Sequence, residues 1–549
     1  MEQVTGERAN PVHMSTSPGV RWTTVNFAEA IQGVQKPLGW AMWSLSMETS
    51  VRMAFGRLGV LARSEVPVPD SADERISGIF FGRAAGNIDV FRRLGDRMPG
   101  SSGDVIEEKL FGKEPPAGGP ARKPLSARRR YPIVAVSMPS AAWVAPRRIP
   151  PMRDQYREWW QASVLDAPPR TLAEAQMLYQ EAAQRFIDIG VLHTIATLLA
   201  SALLDSLGDL AEQAVGDRAV AMELATGYGG MEETGLIDDI CSAASGQLGI
   251  DELIRRHGYH GPDEGELSSH TWREDPAPLL GMIHQYQRNS IVSPRAREAR
   301  QGERREAAEA RVLAGVSAVR RPGARLVMRL AGTYIPLREL GKAAFLHALD
   351  AGRCAARVGG EELAARGFLD DPSDVFFLTG DEFTGEPTEG FRALVAERRA
   401  LDDRYQQLTV PPEWSGPPVP LPIVTSVAGG SNGYVDGVPA AAQRELQGIG
   451  VVGDTVTGRA RVVHDPMDAE LDPGDILVCA TTDPSWTPLF MVAEALVIDM
   501  GGAMSHGAIV ARELGVTCVI NTVTGTQDIP DGATITVDGS SGLVLVDQA

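Results

Sequence analysis

The sequence predicts a multidomain chain, with a mainly α-helical amino-terminal and central body and a carboxy-terminal α/β domain. Three observations carry that reading. Apolar residues recur at helical spacing up to residue 410, a Pro/Gly-rich stretch interrupts the chain over 411–447, and short β-type runs alternate with helical segments beyond Gly448. The 549 residues are ample for several cores, and 43% apolar with 22% charged residues excludes a disordered or fibrous chain.

Taken in order, residues 1–20 are polar and read as a flexible amino terminus. Residues 21–410 form the helical body. Its first part, Trp22 to Leu61, reads as a lead-in loop and a helix bearing Trp40, Met42, Trp43 and Met47. Between 100 and 132, Gly, Pro and basic residues collect, including Pro115-Pro116 and Arg128-Arg129-Arg130, which predicts a surface loop. Thr171 to His257 is helical in pattern. Its most apolar part, Ile187 to Leu204, carries Asp188, His193 and Thr197, so it reads as a buried helix rather than a membrane span. Pro294 to Arg321 interleaves Arg with Glu298, Glu303, Glu306 and Glu309, as on a solvated helix. Pro411-Pro412, Pro417-Pro418 and Gly429-Gly430 mark 411–447 as a linker. Residues 448–549 alternate strand and helix signals and form the α/β domain.

Composition narrows the function classes. Asp plus Glu number 71 against 52 Lys plus Arg, a formal charge of −19, which argues against a general nucleic-acid or anionic-membrane binder. Cys241, Cys354, Cys479 and Cys518 are far apart and form no C-x-x-C, and no secretory start precedes them. A reducing, cytoplasmic location is expected, without disulfides. No histidine spacing predicts a metal site.

The run from Ala495 to Leu514 carries the chemistry. A buried strand, Ala495-Leu496-Val497-Ile498, leads to Gly501-Gly502, Ser505, His506 and a helix. Two glycines permit a sharp reversal, and the helix mouth places backbone N–H groups and the positive dipole end beside the imidazole. That setting keeps the ring neutral and nucleophilic and suits a negatively charged phosphoryl group attached to it. Upstream, Asp483-Pro484 forms a cap and first-turn pair that sets Thr482 near the same rim.

Gly501, Gly502, His506, Arg512, Glu513 and Gly515 resemble, position by position, the phosphohistidine (swivelling, mobile) domain of the phosphoenolpyruvate-utilising enzymes. Met504-Ser505-His506-Gly507 is most similar to the rifampin phosphotransferase branch. Fainter likenesses lie upstream, in Asn26-Phe27-Ala28-Glu29 and in Gly258-Tyr259-His260-Gly261-Pro262-Asp263-Glu264, where His260 stands at a common Arg position and Asp263 at that of a small residue. Arg338-Glu339-Leu340-Gly341-Lys342 is similar to the family's Arg-Glu-x-x-Lys, and four-residue spacing puts its two cations on one helix face. Pro336 marks a helix start or kink there.

The resemblance implies His506, Arg338 and Lys342 as catalytic residues, with Gly501, Gly502, Ser505, Arg512 and Thr482 supporting the phosphohistidine loop. His260, Glu264, Trp40 and Trp43 are the candidates for the acceptor pocket. The family's ATP-grasp and barrel units have no counterpart motif in this sequence: Gly341-Lys342 lacks the upstream glycine of a P-loop. Gly429-Gly430-Ser431-Asn432-Gly433 lacks the strand and helix of a hydrolase elbow. The expectation is a phosphotransferase component with no cofactor of its own. An ATP-grasp partner would supply ATP and Mg2+, or phosphoenolpyruvate would serve as donor, and a hydroxyl of a small organic molecule would accept. A phosphohistidine-switched scaffold and a retired small-molecule binding protein are the alternatives.

Overall fold

The computed structural model describes residues 10–25, 27–111, 128–229, 232–289, 293–423, 444–466, 469, 471–502 and 505–547. Residues 112–127 of the expected loop, 424–443 of the expected linker, and Asn26 and Met504 of the motifs lie outside them.

Two long helices frame the body. Leu172–Val215 opens on Thr171, whose hydroxyl accepts from Glu174 N, and ends where Gly216 turns left-handed at φ 73°. Its length and composition would let it cross a membrane, yet Ile187, Ile189, Val191, Leu192 and Ile195 are buried in the body. It packs along Arg321–Ala365, whose buried face is rich in small residues, Ala343, Ala344, Ala348, Ala351, Ala355 and Ala356, so the two axes approach closely. Pro336 does not start a helix here: Arg321–Ala365 runs through it. Pro37–Arg57 and Tyr131–Trp160 pack against this pair. The arginine-rich segment forms the expected helix, Arg295–Gly315.

A small antiparallel sheet completes the body, in the order Ser77–Phe80, Arg83–Asn87, Arg21–Thr23, Glu413–Ser415. Its last strand comes from the 411–447 stretch, and Arg444–Gln447, at the other end of that stretch, pairs with Leu543–Val546 in the carboxy-terminal sheet.

The carboxy-terminal domain is an eight-stranded mixed sheet. Thr455–Val462, Asp475–Cys479, Ala495–Ile498 and Thr517–Ile520 run parallel at its centre, flanked by antiparallel strands. A parallel pair needs a crossover, and His506–Leu514 is the crossover between Ala495–Ile498 and Thr517–Ile520. This topology puts the helix start at the carboxyl end of a buried strand, where α/β sheets hold their ligands. All four cysteines are buried free thiols.

Candidate phosphoryl-transfer site between body and carboxy-terminal domain

Local sequence explains how His506 is presented. Gly501 adopts φ 153°, and a Cβ there would come 2.9 Å from Ser505 Oγ. Ser505 caps the helix, its Oγ accepting from Ala508 N at 3.3 Å. His506 is the first helical residue and is only 7% exposed. A Cβ on Gly507 would lie 2.5 Å from Ile498 Cδ1 and 2.8 Å from Thr482 Oγ1, so only glycine lets the helix mouth seat this deeply. Thr482 Oγ1 stands 3.4 Å from His506 Nδ1, and Thr487 Oγ1 stands 3.2 Å from Nε2. Asp483 accepts from Ser485 N at 2.8 Å and closes the turn carrying both threonines.

The carboxy-terminal domain is docked on the body. Leu236, Ile237, Trp272, Met282 and Tyr286 share one core with Trp486, Leu489, Phe490 and Ile498. Tyr286 donates to Pro488 O at 2.8 Å, and Gly227 N donates to Glu513 at 3.1 Å. Arg512 is buried with Nη1 at 3.0 Å from Met222 Sδ, and burial lowers its guanidinium to about 10.

Docking brings the candidate residues together. Burial pushes the His506 imidazole well below its usual value, and Lys342, His260 and Arg338 push it further. The ring is therefore neutral, and the positive charge of Lys342 and Arg338 on the docked body acts on it, which favours an incoming phosphoryl dianion. Arg338 Nη1 is buried with no hydrogen-bond acceptor among the described residues, and its closest charge is Glu339 at 3.6 Å. Lys342 Nζ lies 4.0 Å from Glu233. Burial would lower the Lys342 ammonium, but Glu233, Glu339 and Glu264 outweigh it and hold it above the ordinary lysine value.

His260 Nδ1 and Glu264 Oε1 are 2.5 Å apart. Burial takes the imidazole down to about 3 and lifts the carboxyl to about 7, so at neutral pH the contact is a hydrogen bond to a neutral imidazole and not an ion pair. Asp483 is also lifted to about 7, by burial first and by Glu264 across the domain boundary second.

Trp40 and Trp43 belong to the body's core. Trp43 packs edge-on to Phe186 with centroids 5.0 Å apart, and its Nε1 donates to Gly265 O at 2.6 Å, which steadies the loop bearing Glu264.

Several residues at the site were not singled out from the sequence. Asp350, wholly buried, accepts from Trp160 Nε1 at 2.7 Å, Arg273 at 2.8 and 3.0 Å, and Arg353 Nη1 at 2.9 Å. Arg353 Nη2 then donates to the carbonyls of Glu264 and Glu266, each at 3.0 Å. The result is a buried clamp on the His260–Glu264 loop. His193 Nδ1 meets Arg338 O at 3.2 Å, and Glu233 and Thr487 complete the set. Continuing the Arg338/Lys342 spacing by two helical turns reaches Asp350, the one periodic signal that pointed to any of them.

Comparison with known proteins agrees with this layout. Residues 471–542, which contain His506, match the mobile domain of PEP-utilising enzymes. Residues 181–339, which contain His193, Glu233, His260 and Arg338, match the rifampicin phosphotransferase fourth domain. A rifampicin phosphotransferase of a Streptomyces species is 28% identical over 95% of this chain and 62% of its own length. That of Streptomyces sviceus is 32% identical over 58% of this chain and 36% of its own length. The chain thus spans less than two thirds of these relatives. Among solved structures, aconitase X of Thermococcus kodakaraensis is 19% identical over 19% of this chain and 99% of its own, with a TM-score of 0.17 that carries no argument.

Proposed function

Because the chain joins a PEP-utilising enzyme mobile domain to a helical body related to rifampicin phosphotransferase, we propose that it carries a phosphoryl group on His506 and delivers it to a hydroxyl of a small organic acceptor. The observation behind this reading is the neutral, buried His506 at a helix mouth facing Lys342 and Arg338 of a separate domain.

In this reading the carboxy-terminal domain is the carrier. An ATP-grasp partner, as a subunit or a further domain, loads His506 using ATP and Mg2+; phosphoenolpyruvate is the other donor class. Thr482 and Thr487 orient the ring through its two nitrogens, and the backbone N–H groups of the helix start face the added charge. The docked arrangement represents the acceptor station. There Arg338 and Lys342 neutralise the phosphoryl oxygens as the N–P bond breaks and the P–O bond forms. Splitting one transfer into two lets each step use positioning and charge alone. A cytoplasmic setting suits such a component.

The test is to incubate the chain with γ-labelled ATP and an ATP-grasp protein, then chase with candidate alcohols, starting with rifampicin, the compound in the relatives' names. Acid-labile, base-stable label that depends on His506 and leaves when an acceptor is added supports the proposal. Label persisting in His506→Ala contradicts it.

A further inference from the structure

Two small cavities flank the Arg338-Glu339-Lys342 turn, and Glu339 lines both. One opens toward the carrier helix at Ile509, Arg512 and Glu513. The other lies between the Glu232–Ala244 and Arg321–Ala365 helices, lined by Glu233, Tyr259, His260, Glu339 and Lys342 among others. The volume open to a water's centre in the second is about 10 Å³, room for roughly one water.

Its chemistry is unusual for a buried wall. Glu233 is 7% exposed, lines this cavity, and its Oε2 has no donor among the described residues. Glu339 stands beside it on the wall of the same cavity, and its negative charge opposes ionisation of Glu233. Lys342 Nζ lies 4.0 Å from Glu233 and lines the same cavity, and its charge also acts on His506. Burying two carboxyls together is costly unless something else uses them. A structural role is poorly served by an oxygen left without a donor.

We propose that this cavity receives the acceptor's hydroxyl and that Glu233, paired with Glu339, takes the hydroxyl proton as the phosphoryl group arrives. The inference rests on the phosphocarrier reading of His506 and adds its proton acceptor. The acceptor oxygen forms the P–O bond while the N–P bond to His506 breaks, the electron pair of that bond stays on the imidazole, and the hydroxyl proton passes to the Glu233 carboxylate. Arg338, whose buried Nη1 also lacks an acceptor among the described residues, meets the phosphoryl oxygens. The narrow space selects an unhindered hydroxyl, such as that of a primary alcohol.

The pH dependence follows from the surroundings. Glu233 faces Glu339 and Lys342 from the long helix, Tyr259 and His260 from the loop, and Glu232 from its own helix. Burial, then Glu339, raise its carboxyl well above the usual carboxylate range against the pull of Lys342. Transfer through Glu233 therefore rises with pH until the carboxyl is ionised. The phosphohistidine bond itself is acid-labile, so uncatalysed loss has the opposite slope.

The experiment uses the full chain charged on His506 with potassium phosphoramidate and freed of donor. Loss of the group to water, the hydroxyl acceptor that fits the docked cavity, is followed from about pH 6 to about pH 9. Wild type is expected to show a rate rising with pH. Glu233→Gln is expected to lose label about 100-fold more slowly at the alkaline end and to keep only the acid-labile slope. Glu233→Asp, which retains a carboxylate, should recover part of the rate and the rising limb. Matching rates and profiles in wild type and Glu233→Gln overturn the proposal, as does Glu233→Asp behaving like Glu233→Gln. Failure of His506 to charge, or equal labelling of His506→Ala, overturns the phosphocarrier reading itself and this inference with it.

Discussion

Asp350→Asn isolates the clamp that holds the acceptor loop. Asp350 is wholly buried and accepts four hydrogen bonds, one from Trp160, two from Arg273 and one from Arg353. Arg353 is itself 1% exposed, so the substitution leaves a buried guanidinium without its counter-charge. Removing one member of a buried ion cluster costs about 3–5 kcal/mol. Asparagine keeps one acceptor oxygen but turns an NH2 toward a guanidinium, which places the loss near the lower end, about 3 kcal/mol. In urea, followed by circular dichroism of the helical body, the midpoint should fall by about 0.5 M, since a body this large has an m-value above the small-protein range.

Acid sharpens the test. Burial acts to raise the Asp350 carboxyl, but Arg273 and Arg353 outweigh it and hold it below the ordinary aspartate value. A depressed carboxyl contributes stability above its unfolded value and loses it as pH falls through the folded one. The gap between wild type and Asp350→Asn should therefore be full at neutral pH and close in strong acid. A midpoint shift under about 0.3 M at neutral pH would refute the clamp.

Three further outcomes follow from the same geometry. Gly507→Ala drives a methyl against Ile498 Cδ1 and Thr482 Oγ1, at 2.5 and 2.8 Å; it should cost the carboxy-terminal domain about 1–3 kcal/mol, read as a lower melting temperature, and reduce labelling of His506. Lys342→Met should leave phosphoramidate charging of His506 intact while slowing single-turnover transfer to an acceptor by about 10²–10³-fold, and equal slowing of both steps would contradict its placement at the acceptor station. Asp483, raised to about 7 by burial and then by Glu264 across the domain boundary, binds its proton more tightly docked than apart, so docking should weaken as pH rises through 7. Small-angle scattering should then show a radius of gyration that grows between about pH 6 and about pH 8, and a constant value contradicts this coupling.

What sequence reasoning reached, and what it missed, has a physical pattern. The carrier helix was legible because everything that presents His506 is local: a buried strand, two glycines, a serine cap and an aliphatic helix face within twenty residues. The parallel strands of the sheet were equally clear as short apolar runs. Arg444–Gln447 and Ile449–Val452 were not, because they are outer strands with one buried side chain each and so lack alternation. Glu413–Ser415 sits among prolines and pairs with a strand almost four hundred residues earlier, a contact no local pattern encodes.

The acceptor side was legible only in part. Arg338 and Lys342 stand one turn apart on a helix, which spacing reveals. Glu233, by contrast, follows Glu232 at a helix start, where acidic residues normally face water and the helix dipole. Its burial depends on Lys342 and Glu339, more than one hundred residues later. Trp40 and Trp43, whose rings suit a core as well as an apolar acceptor pocket, sit in the core, with Trp43 bracing the Glu264 loop from behind.

The central claim is that His506 carries the phosphoryl group while it faces Lys342 and Arg338. Mapping the charged chain by mass spectrometry at alkaline pH, where a phosphohistidine survives, tests it most directly. A phosphorylated peptide spanning the Ser505-His506-Gly507 segment is expected in wild type and none in His506→Ala. Phosphate found on a hydroxyl residue alone, or on a different histidine, would contradict it.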